Sequence, residues 1–475
     1  MKKFTVLALA ALLVVAFTVP ASALENIFGG YWRTRMVSQR NFSGDDSGAL
    51  DLSRVDTRTR LYYTAKINDN LKFVNKFEYN TVWGDSTADP AAGTVTGSVY
   101  PHTHALTGVS SNNWGDAGAD GAGVTIKNSY ADFNVGPVNF LVGIQNFTLL
   151  RGFVSDDDAA GMKAIWKVND GLYLPFVWLK NYEGGSGAGA NALDIDSYVF
   201  APVIMLSKDI KISPVYAFLH GRNAMQMPSN NPAFLGRFDN VNVNILGLDF
   251  DGKFGAASLW FTGVYQFGTL TTADALLGYK AGTEIDLKAY LVAAGGKFDL
   301  GKADIHGQAF YASGDDAVGS LNDKTIDGFF LTRSSTYYWS EILGNGIFDN
   351  MSPIATGGPT GGAPKGYGYG SFTGANGGPQ VSNMWALNIG TTIKPMDKLS
   401  IAADLWYARL AENNVNKDDD LGIEANIVIT YKLVEGLNLD IVGAYLFAGD
   451  AIGTTSGGNL ARNPYEFGTR LSLSF

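Results

Sequence analysis

Between Val55 and Ile67 the chain alternates without a break, and that alternation constrains its fold more than any other feature. Val55, Thr57, Thr59, Leu61, Tyr63, Ala65 and Ile67 form one set, apolar or small. The interleaved set, Asp56, Arg58, Arg60, Tyr62, Thr64 and Lys66, carries the charge. Period two marks a strand with two unlike faces, and a dozen residues is long for a strand in a water-soluble domain. About nine to eleven tilted residues cross a bilayer, which suits this run better. The pattern returns at Glu284–Leu291, Ala303–Tyr311 and Leu421–Lys432. One Arg facing lipid at the bilayer midplane costs about 2–4 kcal/mol. The Arg54–Asp56–Arg58–Arg60 face must therefore look into an enclosed, polar interior.

Turn signals divide the chain into a regular series. Short polar turns are expected at Asn68-Asp69-Asn70, Gly136-Pro137, Asn169-Asp170-Gly171, Lys208-Asp209, Asp251-Gly252, Gly301, Lys394–Asp397 and Val434–Gly436. Longer connections fall near 41–53, 85–122, 149–159, 183–193, 223–239, 271–282, 315–380, 411–419 and 449–463. Short and long connections in turn are how outer-membrane barrels lie, with short turns periplasmic and long loops outside. The expected fold is an all-β, transmembrane antiparallel barrel of about eighteen strands, with sixteen as the alternative; even numbers are the rule for single-chain bacterial barrels. Closure removes the unpaired edges that an open sheet would leave in lipid.

The N-terminus sets the expected compartment. Lys2 and Lys3 precede an apolar run from Phe4 to Val19, which Pro20 ends before Ala21-Ser22-Ala23. This is the layout of a cleaved secretory leader, giving a signal peptide over 1–23 and one barrel domain over 24–475. The remainder has no second apolar stretch of helical spanning length. Cys is 0, which excludes disulfides, a lipid-anchored cysteine, iron–sulfur ligation and Cys-based zinc sites. Gly is 58 of 475 residues and charged residues are only 17 % against a usual quarter, with mean hydropathy +0.02. A wall with one greasy and one wet face averages to such a value. Losing the leader takes Lys2 and Lys3 from 35 basic residues, leaving 33 against 45 acidic ones, a net of −12. That disfavours nucleic acid as a partner.

The last strand carries the most specific local signal. Tyr465, Phe467, Thr469, Leu471, Leu473 and Phe475 alternate with Glu466, Gly468, Arg470, Ser472 and Ser474, and the chain ends on Phe475. This resembles the terminal signal of outer-membrane proteins. The resemblance implies that the barrel-assembly machinery reads this strand, with Phe475 as its last residue. The whole mature chain resembles the bacterial outer-membrane porin superfamily of sixteen to eighteen strands, in the flavour of substrate channels and alginate-export barrels. Val142-Gly143-Ile144-Gln145-Asn146-Phe147 looks like the strand-ending Gly-x-Gln motif of such porins, and Tyr311–Asp316 (YASGDD) is similar to their strand-to-loop exit. Membership would imply an outer-membrane location, passive diffusion of small hydrophilic solutes and no cofactor.

Channels of this kind select by geometry and field. Three groups of candidate residues follow. Arg33, Arg35, Arg54, Arg58, Arg60, Lys66, Lys72 and Lys76 share the expected lumen face of the early strands, with only Asp56 and Glu78 opposing them. Asp156, Asp157 and Asp158 lie in the third long connection, the loop that folds inward in general porins, and are constriction candidates by that resemblance. The 315–380 connection, with Tyr337-Tyr338-Trp339-Ser340-Glu341, is the rival constricting loop. Glu284, Asp286, Asp304, His306, Asp404, Glu424, Asp440 and Glu466 are expected on the lumen face of the later strands. The early wall favours anions, whereas the net charge favours cations. Trp32, Tyr79, Trp83, Trp166, Trp178, Tyr407, Tyr431 and Tyr445 read as interfacial girdles in contact with outer-membrane lipid.

Two other classes compete. A barrel lipase or protease needs a nucleophile with a positioned base, and the four histidines, His102, His104, His220 and His306, offer no such constellation within one strand. A sheath around a partner protein needs no chemistry of its own. No enzyme, no metal and no cofactor is therefore expected, and a homotrimer is compatible with apolar lipid faces.

Overall fold

The computed structural model describes residues 24–42, 51–83, 124–183, 194–222, 238–273, 280–314, 324–329, 337–344, 346–348, 381–412, 419–452 and 462–475. Residues 1–23, the expected leader, lie outside the described residues, as do His102 and His104. Eighteen strands form one antiparallel sheet: β1 (Glu25–Arg40), β2 (Leu52–Asn68), β3 (Leu71–Val82), β4 (Thr125–Val135), β5 (Val138–Leu149), β6 (Ser155–Asn169), β7 (Leu172–Tyr182), β8 (Ile195–Phe200 continuing as Val203–Ser207), β9 (Ile210–Arg222), β10 (Phe238–Phe254), β11 (Ala257–Thr272), β12 (Glu284–Asp299), β13 (Ala303–Ala312), β14 (Met384–Met396), β15 (Leu399–Leu410), β16 (Asp420–Val434), β17 (Leu437–Ala448) and β18 (Tyr465–Ser474). β8 is interrupted at Ala201-Pro202, where proline has no N–H for the ladder. A two-residue stub, Thr325-Ile326, pairs parallel to Asp286-Leu287 of β12.

Each strand pairs with its neighbour in sequence, and β18 returns to β1, in register from Tyr31↔Ser474 to Arg40↔Tyr465. The sheet is closed, with eighteen strands and not sixteen. Gly30 and Phe475 exchange backbone hydrogen bonds of 2.8 and 3.2 Å at the seam. Eight short turns and both ends of the sheet lie at one rim, and nine connections lie at the other. The turn expected at Asp251-Gly252 is displaced. Those residues lie within β10, and the chain reverses at Gly255, whose φ of +64° glycine adopts without strain.

The outward face carries exposed apolar side chains on strand after strand. Leu61, Phe73, Val142, Phe176, Leu246 and Ile389 each leave more than a third of their surface open. A continuous apolar belt of that kind is stable against hydrocarbon and would aggregate in water. Inside, the barrel departs from the uniformly wet channel that the sequence predicts. Inward residues of β11 to β17, among them Leu270, Ile285, Leu287, Trp406 and Leu446, form one packed cluster with Ile342 and Leu343 from the connection after β13. The same cluster continues over the inward residues of β7 to β10, among them Val177, Val199, Val215 and Val243.

Candidate functional site: a basic wall and two inward arms

β1, β2 and β3 bring the early cations together. Registers Arg35↔Asp56, Arg33↔Arg58, Tyr31↔Arg60, Arg60↔Glu78 and Tyr62↔Lys76 set them side by side on one face. Arg35 Nε donates to both Asp56 oxygens at 2.7 and 2.9 Å, and Arg54 Nε reaches Asp56 at 3.1 Å. Arg60 Nε donates to Glu78 at 2.5 Å and Arg58 Nε to Asn80 at 2.6 Å. Lys76 lies 5.3 Å from the Tyr62 ring centre, and Lys72 Nζ is 4.0 Å from Asp132 of β4. Two carboxylates on these strands thus serve a file of guanidinium groups. Lys66 is held at the short-turn rim by Asp69 and Glu25, at 3.1 and 3.5 Å.

The first arm is the tight connection Leu150–Val154 between β5 and β6. Apart from Arg151 its residues are apolar or glycine where a surface turn would be polar, and those residues are buried. Leu150 and Arg151 both have positive φ, +51° and +58°. Each such L-residue costs about 1–2 kcal/mol, so tertiary contacts must offset the strain. They are found on β10 and β11. The Leu150 methyls rest on Gly247, where a Cβ would stand 2.5 Å from Cδ1. The Arg151 guanidinium pairs with Asp251 and lies 3.6 Å from Asp249. It also donates to Thr262 Oγ1 and the Phe250 carbonyl, both at 3.1 Å. Its plane sits 5.0 Å from the Trp260 ring centre, and Trp260 itself covers Gly295. The arm therefore crosses from one side of the barrel to another.

The second arm is Tyr337–Phe348, from the long connection after β13. Tyr337 Oη donates to Gln308 at 2.6 Å, and Trp339 packs edge-on to Trp406 and Phe310. The backbone N–H groups of Glu341, Ile342 and Leu343 all donate to the Glu424 carboxylate, at 2.8, 3.1 and 2.9 Å. Phe348 then packs on Val37 and Val442, and Arg470 donates to the Ile347 carbonyl at 3.2 Å. Burial pushes the Glu341 carboxyl up to about 7 against the N–H of Ile347, which favours its charged form, and the neighbouring Glu424 adds to the rise. The arms meet where Phe153 stacks on Tyr337 with ring centres 3.8 Å apart.

The later acids are placed unequally. Glu424, Asp440 and Glu466 face inward but are 0 %, 2 % and 2 % exposed. Asp440 accepts from Arg470 and Thr430 at 2.9 and 2.7 Å, and Glu466 accepts from Gln39 at 2.6 Å. Asp304 and Asp404 flank His306, whose two ring nitrogens lie 2.7 and 3.0 Å from their oxygens. Glu284 and Asp286 depart from the expected face. On β12 the odd residues Ile285, Leu287, Ala289 and Leu291 are buried inward, so Glu284 and Asp286 point outward. They sit at the long-connection end of β12, past Tyr290 and Val292, where an outward charge meets water and not hydrocarbon.

The three consecutive aspartates also differ from the expected inward loop. Asp156, Asp157 and Asp158 are the second to fourth residues of β6 and pair with Thr148, Phe147 and Asn146 of β5. Asp158 is bonded to Lys127 and accepts from Asn128 at 2.6 Å, and Asp156 accepts from Thr148 at 2.6 Å. The inward segment is Leu150–Val154, just before β6, and its charge is Arg151. Sequence reasoning missed Arg151, Asp249, Trp260 and Phe153. The available signal was the run Leu149-Leu150-Arg151-Gly152-Phe153-Val154, too apolar for an exposed connection.

No protein-family model matches the sequence, and no curated protein matches it. Solved structures do match in fold. Acinetobacter baumannii OccAB1 superposes with a TM-score of 0.53 at 12% identity, covering 95% of this chain and 96% of that one. Pseudomonas aeruginosa OccK11 (OpdR) gives 0.51 at 11% over 95% and 96%. The outer membrane protein OpdK of Pseudomonas aeruginosa gives 0.52 at 9% over 95% and 98%, and it has also been solved with vanillate. The likeness is one of fold: the closed eighteen-stranded barrel of this chain matches the all-β barrel of these proteins.

Proposed function

We propose that the chain is an outer-membrane porin, a channel for passive diffusion of small hydrophilic solutes, and that it prefers anions. The unequal burial of lumen charge carries the second half of this reading. Glu424, Asp440 and Glu466 are sealed under the second arm or paired. The side chains of Arg60 and Lys72 keep 26% and 44% of their surface open. Arg33, Arg35 and Arg58 are themselves only 5%, 1% and 8% exposed, so the cations that a solute passing through would meet are Arg60 and Lys72, more than Glu424, Asp440 and Glu466, and lumen side chains tune selectivity. That answers the conflict between a basic wall and a negative net charge, because charges buried beneath an arm contribute less to the field along the passage.

A hydrolase is less well supported. Both His306 nitrogens are engaged by carboxylates, so neither is placed to take a proton from a nucleophile. We further propose that the barrel-assembly machinery reads β18, whose outward Phe467 and Tyr465 and terminal Phe475 are the exposed aromatic part of the seam. Because β18 closes on β1, each chain encloses its own lumen, whether it stands alone in lipid or in a homotrimer.

The test is single-channel recording of refolded protein in a planar bilayer under a KCl gradient. Discrete steps with a reversal potential of anion sign are expected, and His306→Ala should keep them. Steps of cation sign would overturn the anion preference. A folded barrel without steps would overturn the channel and favour a sheath or an enzyme.

A further inference from the structure

We propose that Arg151 is the residue that sets the size limit of the passage, by clasping the Leu150–Val154 arm to the far wall. The proposal rests on the channel reading above. β5 and β6 carry the arm, while its tip is received by β10 and β11, several strands away around the barrel. A connection of five residues can stay across a lumen only if the receiving wall holds it. Here the receiving wall is shaped for that one side chain. Asp251 and Asp249 supply the opposite charge, Thr262 and the Phe250 carbonyl fix the guanidinium plane, and Trp260 covers its face.

The wall has also been cleared for the arm. Gly247 leaves space that Leu150 fills, and Gly295 lets Trp260 lie flat. A planar guanidinium with several directed donors suits such a fork of acceptors, whereas a lysine would be a point charge without the fixed plane. The two successive left-handed residues explain why the clasp is needed. Without Arg151 the turn has a conformational reason to relax away from β10, opposed by the packing of Leu150 on Gly247 and of Phe153 on Tyr337. Phe153 follows in the same arm and stacks on Tyr337, so release at Arg151 also loosens the meeting point of the two arms.

The experiment compares wild type with Arg151→Ala, Gly247→Val and Arg151→Lys. Folding is checked by heat-modifiable mobility, and each barrel is read in 0.1 M KCl and in liposome swelling with neutral sugars of graded size. Arg151→Ala is expected to raise conductance at least twofold and admit larger sugars. Gly247→Val, which displaces Leu150 without touching a charge, should do the same. Arg151→Lys, which keeps the charge without the fixed plane, should fall between wild type and Arg151→Ala. Wild-type steps that persist unchanged in Arg151→Ala and Gly247→Val would overturn the clasp while leaving the channel intact. Absence of steps in wild type would overturn the channel reading itself.

Discussion

Replacing Glu424 by glutamine removes one oxygen's capacity to accept and little volume, so its effect isolates the anchoring of the second arm. Three backbone N–H groups donate to this buried carboxylate, at 2.8, 3.1 and 2.9 Å, and Asn426 adds a fourth bond at 3.0 Å. Bonds to a charged acceptor contribute about 1.5–3 kcal/mol each and neutral ones about 0.5–1.5. In Glu424→Gln one N–H of the arm meets an amide NH₂ and loses its acceptor, and the others lose the charge. The gross loss is about 3–6 kcal/mol. Removing a buried charge that lies beside Glu341 returns part of it, leaving about 2–4 kcal/mol. The docking equilibrium of Tyr337–Phe348 should then weaken by about 30- to 1,000-fold. Hydrogen exchange followed by mass spectrometry should show faster exchange at Glu341, Ile342 and Leu343, while the barrel strands stay protected. Conductance should rise and become noisier. Unchanged exchange at those three amides in a folded Glu424→Gln barrel would refute the view that Glu424 holds the arm.

Arg60→Ala combined with Lys76→Ala should move the reversal potential toward cation selectivity, because Glu78 then loses Arg60, its 2.5 Å partner; an unmoved potential in a bilayer would place the selecting field elsewhere. Glu341 predicts a pH response of definite sign. Its docked carboxyl, raised to about 7 by burial, binds its proton more tightly than a solvated one, so this contribution to docking is full below the ordinary carboxylate range and fades as pH rises through about 7. Glu424, Asp404 and Arg470 are the charges that bear on it. The arm's exchange rates, corrected for the intrinsic pH dependence, should be slower at pH 5 than at pH 8, and Glu341→Gln should flatten the difference. Phe153→Ala removes the 3.8 Å stack on Tyr337 together with a fully packed ring, at a cost of about 3–5 kcal/mol. Step-to-step variation in conductance should increase at unchanged β content by circular dichroism.

The wall of this protein was legible in its sequence because a closed barrel repeats one rule at every residue. Period two put Arg58, Glu424 and Glu466 on the inward side without knowledge of their partners, and the punctuation by turns gave about eighteen strands, with sixteen left as the alternative. The exceptions have local causes. Glu284 and Asp286 alternate as a lumen-facing pair would, yet β12 runs beyond the apolar belt. There charge is tolerated on either face, and the alternation no longer tells inside from outside. Asp251-Gly252 has turn chemistry, but its aspartate is spent on Arg151 of the first arm and on Lys211, its cross-strand partner on β9.

The arms were not legible for a different reason: their contacts join segments far apart in sequence, and each partner is ordinary alone. Glu424 reads as another wall acid, and its meaning changes when the amides of residues 341–343 close on it. The consequence reaches selectivity. A count of lumen charges by strand parity gives acids and bases similar standing. The inward arms break that equality by covering Glu424, while Asp440 and Glu466 are buried against Arg470 and Gln39. Net charge is a property of the chain, whereas the field in the passage belongs to the side chains left facing it. A variant that frees the second arm should therefore shift selectivity as well as width, toward cations, by returning Glu424 to the water-filled side. Glu424→Gln should widen the passage without that shift, whereas Leu343→Pro, which abolishes one amide donor and keeps the carboxylate, should show both. Equal reversal potentials in the two variants would mean that the arm sets only the width.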